Sequence, residues 1–392
     1  MSKGWVYIVG LLVVGVYFWG AKNMYFHQDD LDWFILANRP TLDVMQAPIG
    51  DHVNYLWRIL LSIEWNLFGF NFAPYLAVSL LLHILVIGLL YKITSETTKR
   101  KDLAAMVAII FALNTNWTEI ILWTSGQTIS ITALFVLLAM SAIWNKKGEF
   151  VWLLLSSWTS ALSIGVVVAS MWVFKKLRWT GVIILAVLGL IYKIWSTDGT
   201  KIAYSFDWML KVGEVAILMS VNTAIGRLLI PFDRYEIIRI VLVIVIGSIL
   251  IWKYPIKLRE IWSDKWSRFL IIQLAFYNLI VAAGRAQFGV GIMRAERYAY
   301  LGLALVLLIG VRILRNAKIG RWIWVVPILL SLQIIGFYRR ADDYIVRPQH
   351  LRELVKMIEN GEDKSERGEY LPHFVLNDQR LKYGDLYSLL KR

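Results

Sequence analysis

Residues Leu80–Leu90 read LLLHILVIGLL, and this stretch decides the fold class of the 392-residue chain. Comparable apolar runs occupy Val107–Leu113 and Val241–Trp252. Apolar residues make up 58% of the chain and charged residues 18%, whereas a soluble domain is roughly half apolar and a quarter charged. Runs of this kind are stable as helices surrounded by lipid. The sequence therefore predicts an all-α polytopic membrane protein.

The chain carries a formal net charge of +14 and contains no cysteine. Residues 339–392 hold almost equal numbers of cations and carboxylates, so the positive excess belongs to the rest of the chain. Those cations lie in short loops between apolar segments, where they set the orientation and contact anionic lipid headgroups. Nucleic acid is therefore not an expected partner. The lack of cysteine excludes disulfides, thiolate metal sites and cysteine nucleophiles.

The basic loops predict the topology. They are Lys92–Asp102, Lys146-Lys147, Lys175–Arg178, Lys253–Arg268 and Arg312–Arg321. Placing all of them on the cytoplasmic side requires an even number of crossings between each pair, which gives about eleven spans. The expected location is the cell membrane, with the amino terminus cytoplasmic and the carboxyl-terminal tail extracytoplasmic.

The same reasoning divides the chain into a transmembrane domain, residues 1–338, and a small outer-face tail, residues 339–392. Within the transmembrane domain, residues 22–72 form the first outer loop. Residues 206–231 predict a helix lying in the outer interface, because a crossing there would move a basic loop outside.

One apolar segment, Phe150–Phe174, is long enough for a single tilted crossing. A single crossing would place Lys175–Arg178 outside. The segment is therefore expected to form a tight hairpin that turns near Ser160–Gly165, where small polar side chains can satisfy backbone groups.

The first outer loop is acidic. It contains Asp29, Asp30, Asp32, Asp43 and Asp51. Acidic residues contribute little to membrane orientation, so they require another explanation. One interpretation is a carboxylate general base, or a divalent cation held by the pair Asp29-Asp30. The alternative is a solvated acidic loop.

Several short motifs follow one another in a recognisable order. The motifs are Phe26–Asp32 (FHQDDLD), His52–Arg58 (HVNYLWR), Leu80–His83, Phe111–Glu119 (FALNTNWTE), Trp123–Gly126 (WTSG), Gly284-Arg285 and Ala295–Leu301 (AERYAYL). This succession resembles the type C glycosyltransferases, within them the protein O-mannosyltransferases and their bacterial and archaeal relatives.

The resemblance implies a membrane enzyme that moves a sugar from a polyprenyl-phosphate carrier to an acceptor hydroxyl on the extracytoplasmic face, with inversion. The acceptor, whether protein, lipid or glycan, stays open. The family's acidic pair matches Asp29-Asp30, so Asp29 is the expected base, and Asp30 is expected to orient the acceptor or stabilise the loop. Relatives usually have His-Pro where this chain has Asn114-Thr115, and often have Arg where it has Gln127.

A second set of residues suggests a site for the donor phosphate. Arg285, Arg294 and Arg297, with Tyr298 beside them, bracket a loop that the topology places outside, against the positive-inside trend. Arginine offers bidentate donors for phosphate oxygens, and these donors stabilise the charge that grows on a leaving lipid phosphate. The alternative is that Glu296 pairs with a neighbouring arginine.

The remaining ionisable candidates have weaker signals. His52, His83 and Glu119 are candidates for positioning donor or acceptor. The alternative for His83 is a structural role, as a neutral imidazole hydrogen-bonded to a neighbouring helix. The alternative for Glu119 is a cap on its own helix. Glu64 is expected to snorkel to the membrane surface.

Two other classes of function compete with a glycosyltransferase. A flippase or transporter places ionisable residues near the bilayer midplane and often has two related halves. A non-catalytic lipid-binding protein on a related scaffold would not need the carboxylate base.

Overall fold

In the computed structural model the described residues are 4–21, 24–39, 54–114, 117–195, 206–218, 236–253, 258–285, 296–315, 325–361 and 382–390, with the single residues 225, 229 and 371. This part of the chain is almost entirely helical and contains no β-strand. The all-α prediction is confirmed.

The helices follow one another with short connections. In chain order they are α1 Gly4–Gly20, α2 Gln28–Ala37, α3 Tyr55–Phe68, α4 Phe72–Thr98, α5 Lys101–Ala112, α6 Thr118–Leu122, α7 Gln127–Asn145, α8 Glu149–Ser157, α9 Ile164–Val173, α10 Arg178–Trp195, α11 Phe206–Leu218, α12 Glu236–Lys253, α13 Leu258–Ser263, α14 Lys265–Arg285, α15 Ala299–Ile313, α16 Val325–Glu359 and α17 Tyr383–Leu390. Short 3₁₀ turns occupy Thr124–Gly126, Ala161–Ser163, Lys175–Leu177 and Glu296–Tyr298.

Helix α4 contains the apolar run Leu80–Leu90 and lies at the centre of the packing. The Asn71 side chain caps its first turn by accepting a hydrogen bond from the backbone N–H of Ala73 at 3.4 Å. Pro74 is tolerated there because first-turn amides have no partner inside the helix. The helix ends at Thr98, and the residue that follows, Lys99, has a left-handed φ of 60°. Helices α1, α3, α5, α7 and α15 all contact α4.

Three helical segments of the described chain are long and apolar enough to cross a membrane: Phe72–Thr98, Thr124–Asn145 and Lys265–Arg285. Shorter apolar helices cover Ala161–Val173 and Ala299–Ile313. These segments support a membrane protein. The larger number of about eleven spans, the type C fold and the sidedness stay predictions.

The basic loops that are expected on one side contact one another. The Arg312 guanidinium donates to the carbonyl oxygen of Thr97 at 2.9 Å and to Oδ2 of Asp264 at 2.6 Å. Arg100 donates to the carbonyl oxygen of Arg315 at 3.0 Å. These bonds join three of the basic loops at the carboxyl end of α4, as expected for loops on the same side of a membrane.

The hairpin segment has the expected break. Helix α8 ends at Ser157, a 3₁₀ turn covers Ala161–Ser163, and α9 begins at Ile164. The Ser160 hydroxyl accepts from the backbone N–H of Leu162 at 3.1 Å. A serine side chain therefore satisfies a backbone donor at the break, which is the role predicted for these small polar residues.

Two expected segment boundaries can be compared with the helices. Helix α16 continues through residues 338 and 339, the boundary expected between the transmembrane domain and the tail. The helix continues through Gly336 at the junction of its apolar and polar halves and contains Pro348 in its polar half. Helix α11, Phe206–Leu218, covers the first half of the segment expected to lie in the outer interface and packs on α14 through Val212 and Val215. Its position in the interface stays a prediction. Most of residues 219–231 lie outside the described part.

Candidate functional site

Asp30 anchors the start of α2. Its Oδ2 accepts a hydrogen bond from the backbone N–H of His27 at 2.8 Å, as the carboxylate of a capping box does. Its Oδ1 accepts from the backbone N–H of Ser125 at 3.1 Å, and only 1% of the residue is exposed. One buried carboxylate therefore joins the acidic helix to a turn that lies 95 residues further along the chain.

The turn that meets Asp30 is held tightly against α6. A Cβ atom added to Gly126 would lie 2.7 Å from the backbone of Ile120, closer than real Cβ atoms approach. Only glycine fits at this position. The close approach fixes the path of Thr124–Gly126 and so directs the Ser125 amide toward α2.

Trp123 joins the acidic helix to the arginine loop. Its ring centre lies 4.9 Å from that of His27, and the guanidinium carbon of Arg297 lies 4.9 Å from the Trp123 ring centre. Arg297 also forms an ion pair with Glu119, and its backbone N–H donates to Glu119 Oε2 at 3.2 Å. His27, Asp30, Trp123, Glu119 and Arg297 thus form one connected group, called the polar cluster below.

Glu119 was expected to position donor or acceptor, or to cap its own helix. Its carboxylate is paired with Arg297, a partner that the sequence did not indicate. The side chain of Glu119 is 7% exposed, and that of Arg297 is 28% exposed. Part of the Arg297 side chain therefore reaches solvent while its guanidinium is paired with Glu119.

A second arginine approaches the polar cluster through Tyr298. The guanidinium carbons of Arg285 and Arg297 lie 5.7 and 5.3 Å from the Tyr298 ring centre. The Tyr298 carbonyl oxygen is held by the Tyr277 hydroxyl at 2.6 Å. The structure therefore brings together Arg285, Arg297 and Tyr298. Arg294 lies outside the described residues.

The His83 side chain is hydrogen-bonded to two neighbouring helices. It is fully buried, with Nδ1 2.7 Å from the Tyr300 hydroxyl and Nε2 3.1 Å from the Ala112 carbonyl oxygen. Both ring nitrogens are thus used in bonds between helices, which fits the interpretation of a hydrogen-bonded core histidine. Its described contacts do not include the polar cluster. The side chain of Asp29 and all of His52 lie outside the described part.

Glu64 and Gln127 form a buried pair that the sequence did not predict, and Gln127 directly follows the turn Thr124–Gly126. Gln127 donates through Nε2 to Glu64 Oε1 at 3.1 Å and to the Tyr75 carbonyl oxygen and Ser79 Oγ, both at 3.2 Å. Glu64 is 1% exposed, so the expectation that it snorkels is wrong. Burial raises the pKa of Glu64 to about 8; the Gln127 hydrogen bond opposes the shift, and the charge of Asp30 adds to it.

The sequence contained a signal for this burial. Residues Trp57, Leu61, Glu64 and Trp65 have the spacing of one helical face, and all are buried. Snorkelling requires the side chain to reach the surface from that face, and α4 and α7 cover it. The position within the apolar pattern, rather than the residue type, indicated burial.

Within the part of the chain that the structure describes, no three His, Cys, Asp or Glu residues come together as metal ligands. The suggested divalent cation at Asp29-Asp30 depends on a side chain outside that part. No protein-family model, curated protein or solved structure matches this chain. The polar cluster thus contains the Asp30 carboxylate, held by two backbone N–H groups, and the partly exposed side chain of Arg297.

Proposed function

We propose that this protein is a membrane glycosyltransferase. It would move a sugar from a polyprenyl-phosphate carrier to an acceptor hydroxyl at the outer face of the cell membrane, with inversion. The observation that supports this proposal is the polar cluster. It joins the acidic start of α2, the turn after Trp123 and the arginine loop at Arg297, which are three of the segments that carry the family resemblance.

The location of the polar cluster agrees with such chemistry. Gln127, directly after the turn, bonds to Tyr75 in the first turn of α4, whereas the basic loops meet near Thr97 in its last turn. A 27-residue helix separates the two ends by about 40 Å. The polar cluster and the basic loops therefore lie at opposite ends of a membrane-length helix.

The reaction would proceed as one displacement. The acceptor oxygen attacks the anomeric carbon, its proton passes to the Asp29 carboxylate, and the bond between that carbon and the phosphate oxygen breaks. The electron pair leaves with the lipid phosphate. Arg285 and Arg297 supply fixed positive charge where the leaving group becomes more negative. A divalent cation on Asp29-Asp30 is the alternative source of that charge.

The two aspartates receive different roles in this proposal. Asp30 accepts two backbone N–H bonds, which hold its position, so it serves as an anchor. Asp29, its neighbour in the first turn of α2, is then the group assigned to proton transfer. A base must lie within hydrogen-bond reach of the acceptor, and the anchored helix start provides fixed geometry for that contact.

The test uses purified protein in lipid nanodiscs with a panel of polyprenyl-phosphate hexoses. Release of polyprenyl phosphate is measured without acceptor, as slow donor hydrolysis, and with membrane extracts as a source of acceptor. The proposal expects at least one donor to be consumed by wild type and not by Asp29→Asn. It is overturned if no donor is consumed faster by wild type than by that variant. Movement of an intact donor across vesicles without cleavage would instead support a flippase.

A further inference from the structure

A cleft of about 540 Å³ opens between α1, α4 and α16. Its wall includes Phe18 in the last turn of α1 and Phe72 and Leu76 in the first turns of α4. Both helices thus reach the cleft where their apolar segments end. Phe18 and Trp19 are more than half exposed there. Exposed aromatic rings at helix ends are typical of the membrane interface.

The opposite side of the cleft is polar and comes from α16. Arg352 and Lys356, one helical turn apart, line it together with Glu359, and all three are exposed. Within the described chain, neither cation forms an ion pair. Because cations near the surface attract anionic headgroups, this side is suited to a phosphate. Glu359 lowers the local charge without cancelling it.

Tyr25 adds a neutral donor between the two sides. The residue is 7% exposed and lines the cleft. Burial raises the pKa of its hydroxyl, the Glu359 charge raises it further, and Arg352 lowers it. The hydroxyl therefore keeps its proton at neutral pH and can donate to an oxygen anion. Tyr25 also precedes His27 by two residues, so the cleft adjoins the start of α2.

We infer that this cleft binds an amphiphile with a phosphate headgroup and an apolar chain, with the phosphate at Arg352 and Lys356 and the chain against Phe18, Phe72 and Leu76. The volume lies within the range of roughly 300–1,000 Å³ that small-molecule sites occupy. It accommodates a headgroup and the first part of a chain, and the rest of the chain would continue into the bilayer. A soluble anion would leave the apolar wall unused.

This inference does not depend on glycosyl transfer. The cleft is separate from Arg285 and Arg297, and it involves α16, which supplies none of the residues assigned to the reaction. If the proposed function holds, the cleft is a lipid site in addition to the donor-phosphate site. Lipid binding and sugar transfer are measured independently, so the failure of one can be distinguished from the failure of the other.

The experiment titrates delipidated protein with three probes and counts bound molecules by native mass spectrometry. The probes are farnesyl phosphate, phosphatidylglycerol and inorganic phosphate. We expect the double variant Arg352→Gln/Lys356→Gln to bind farnesyl phosphate or phosphatidylglycerol about tenfold more weakly than wild type, since charge-assisted contacts are lost. The matched control is Lys175→Gln/Arg178→Gln, which removes the same two charge types from exposed positions elsewhere and should bind as wild type does.

A second variant tests the apolar half. Ala73 is exposed and lines the cleft, so Ala73→Trp fills it without entering the core, and it should reduce lipid binding with both cations present. Stronger binding of farnesyl phosphate indicates an isoprenoid carrier, and equal binding indicates general phospholipids; both support the inference. Unchanged lipid binding in the double variant, or inorganic phosphate that binds as tightly as farnesyl phosphate, overturns it.

Discussion

The Gln127 side-chain amide donates a 3.1 Å hydrogen bond to the Glu64 carboxyl group, and both residues are almost completely buried. The hydrogen bonds of the pair connect α3, α4 and α7. Because the carboxyl group has left water, its neutral form is favoured, which makes the protein's stability depend on pH.

The first prediction concerns this dependence. The pKa of Glu64 is about 8 in the fold against 4.5 ordinarily, so the folded state holds a proton that the unfolded state has lost. The free energy of unfolding therefore falls as the pH rises from about 4.5 to about 8, at about 1.4 kcal/mol per pH unit within that window. Thermal unfolding in detergent measures it.

The variant Glu64→Gln removes the titrating group and keeps an oxygen that can accept from Gln127. We expect the melting temperature of this variant to fall much less between pH 5 and pH 8 than that of wild type. Glu214→Gln, at an exposed position of α11, is the control and should keep the wild-type profile. A Glu64→Gln profile identical to that of wild type would show that Glu64 titrates normally.

The second prediction separates Asp29 from Asp30. Asp29→Asn should lose about a hundred- to ten-thousandfold in transfer rate, the usual contribution of a positioned base, without a loss of stability. Asp30→Asn should lower the melting temperature, because the bonds to His27 and Ser125 weaken, at a cost on the order of 1 kcal/mol. Asp32→Asn, on the same helix, should retain its rate. If Asp30→Asn is inactive and Asp29→Asn is active, the roles are exchanged.

The third prediction concerns the pair Arg297 and Glu119. Arg297→Ala should weaken donor binding about ten- to a hundredfold, since a charge-assisted contact is lost. It should also destabilise the fold by about 2 kcal/mol because Glu119 is left buried without its cation. Adding Glu119→Gln should restore part of the stability and none of the donor binding. Donor binding that recovers together with stability would assign Arg297 a purely structural role.

The fourth prediction is the topology. Single cysteines at Lys22, Lys99 and Ser365 can be labelled selectively, because the chain has no native thiol. An impermeant reagent should label positions 22 and 365 from outside and leave position 99 protected. Helix α17 packs against α2 in the structure, so the tail and the first outer loop are neighbours. Labelling at position 99 in intact cells would reverse the model of orientation.

The amino-acid sequence by itself determined the fold class and the positions of most helices. Apolar runs of membrane length specify helices locally, since every backbone group must bond within its own segment in lipid. The run around Leu80–Leu90 lies inside α4, and the break in Phe150–Phe174 occurs where small polar residues predicted it. The acidic pair and the arginine loop were also visible as local clusters.

Only the tertiary structure decided which side chains meet. Glu119 and Arg297 are 178 residues apart, and His83 and Tyr300 are 217 apart. A helical pattern shows which face of a helix is buried, but the partner depends on which other helix covers that face. The spacing of Glu64 with Trp57 and Leu61 indicated that it lies on the buried face of α3. That Gln127 is its partner follows only from the packing of α3 against α4 and α7.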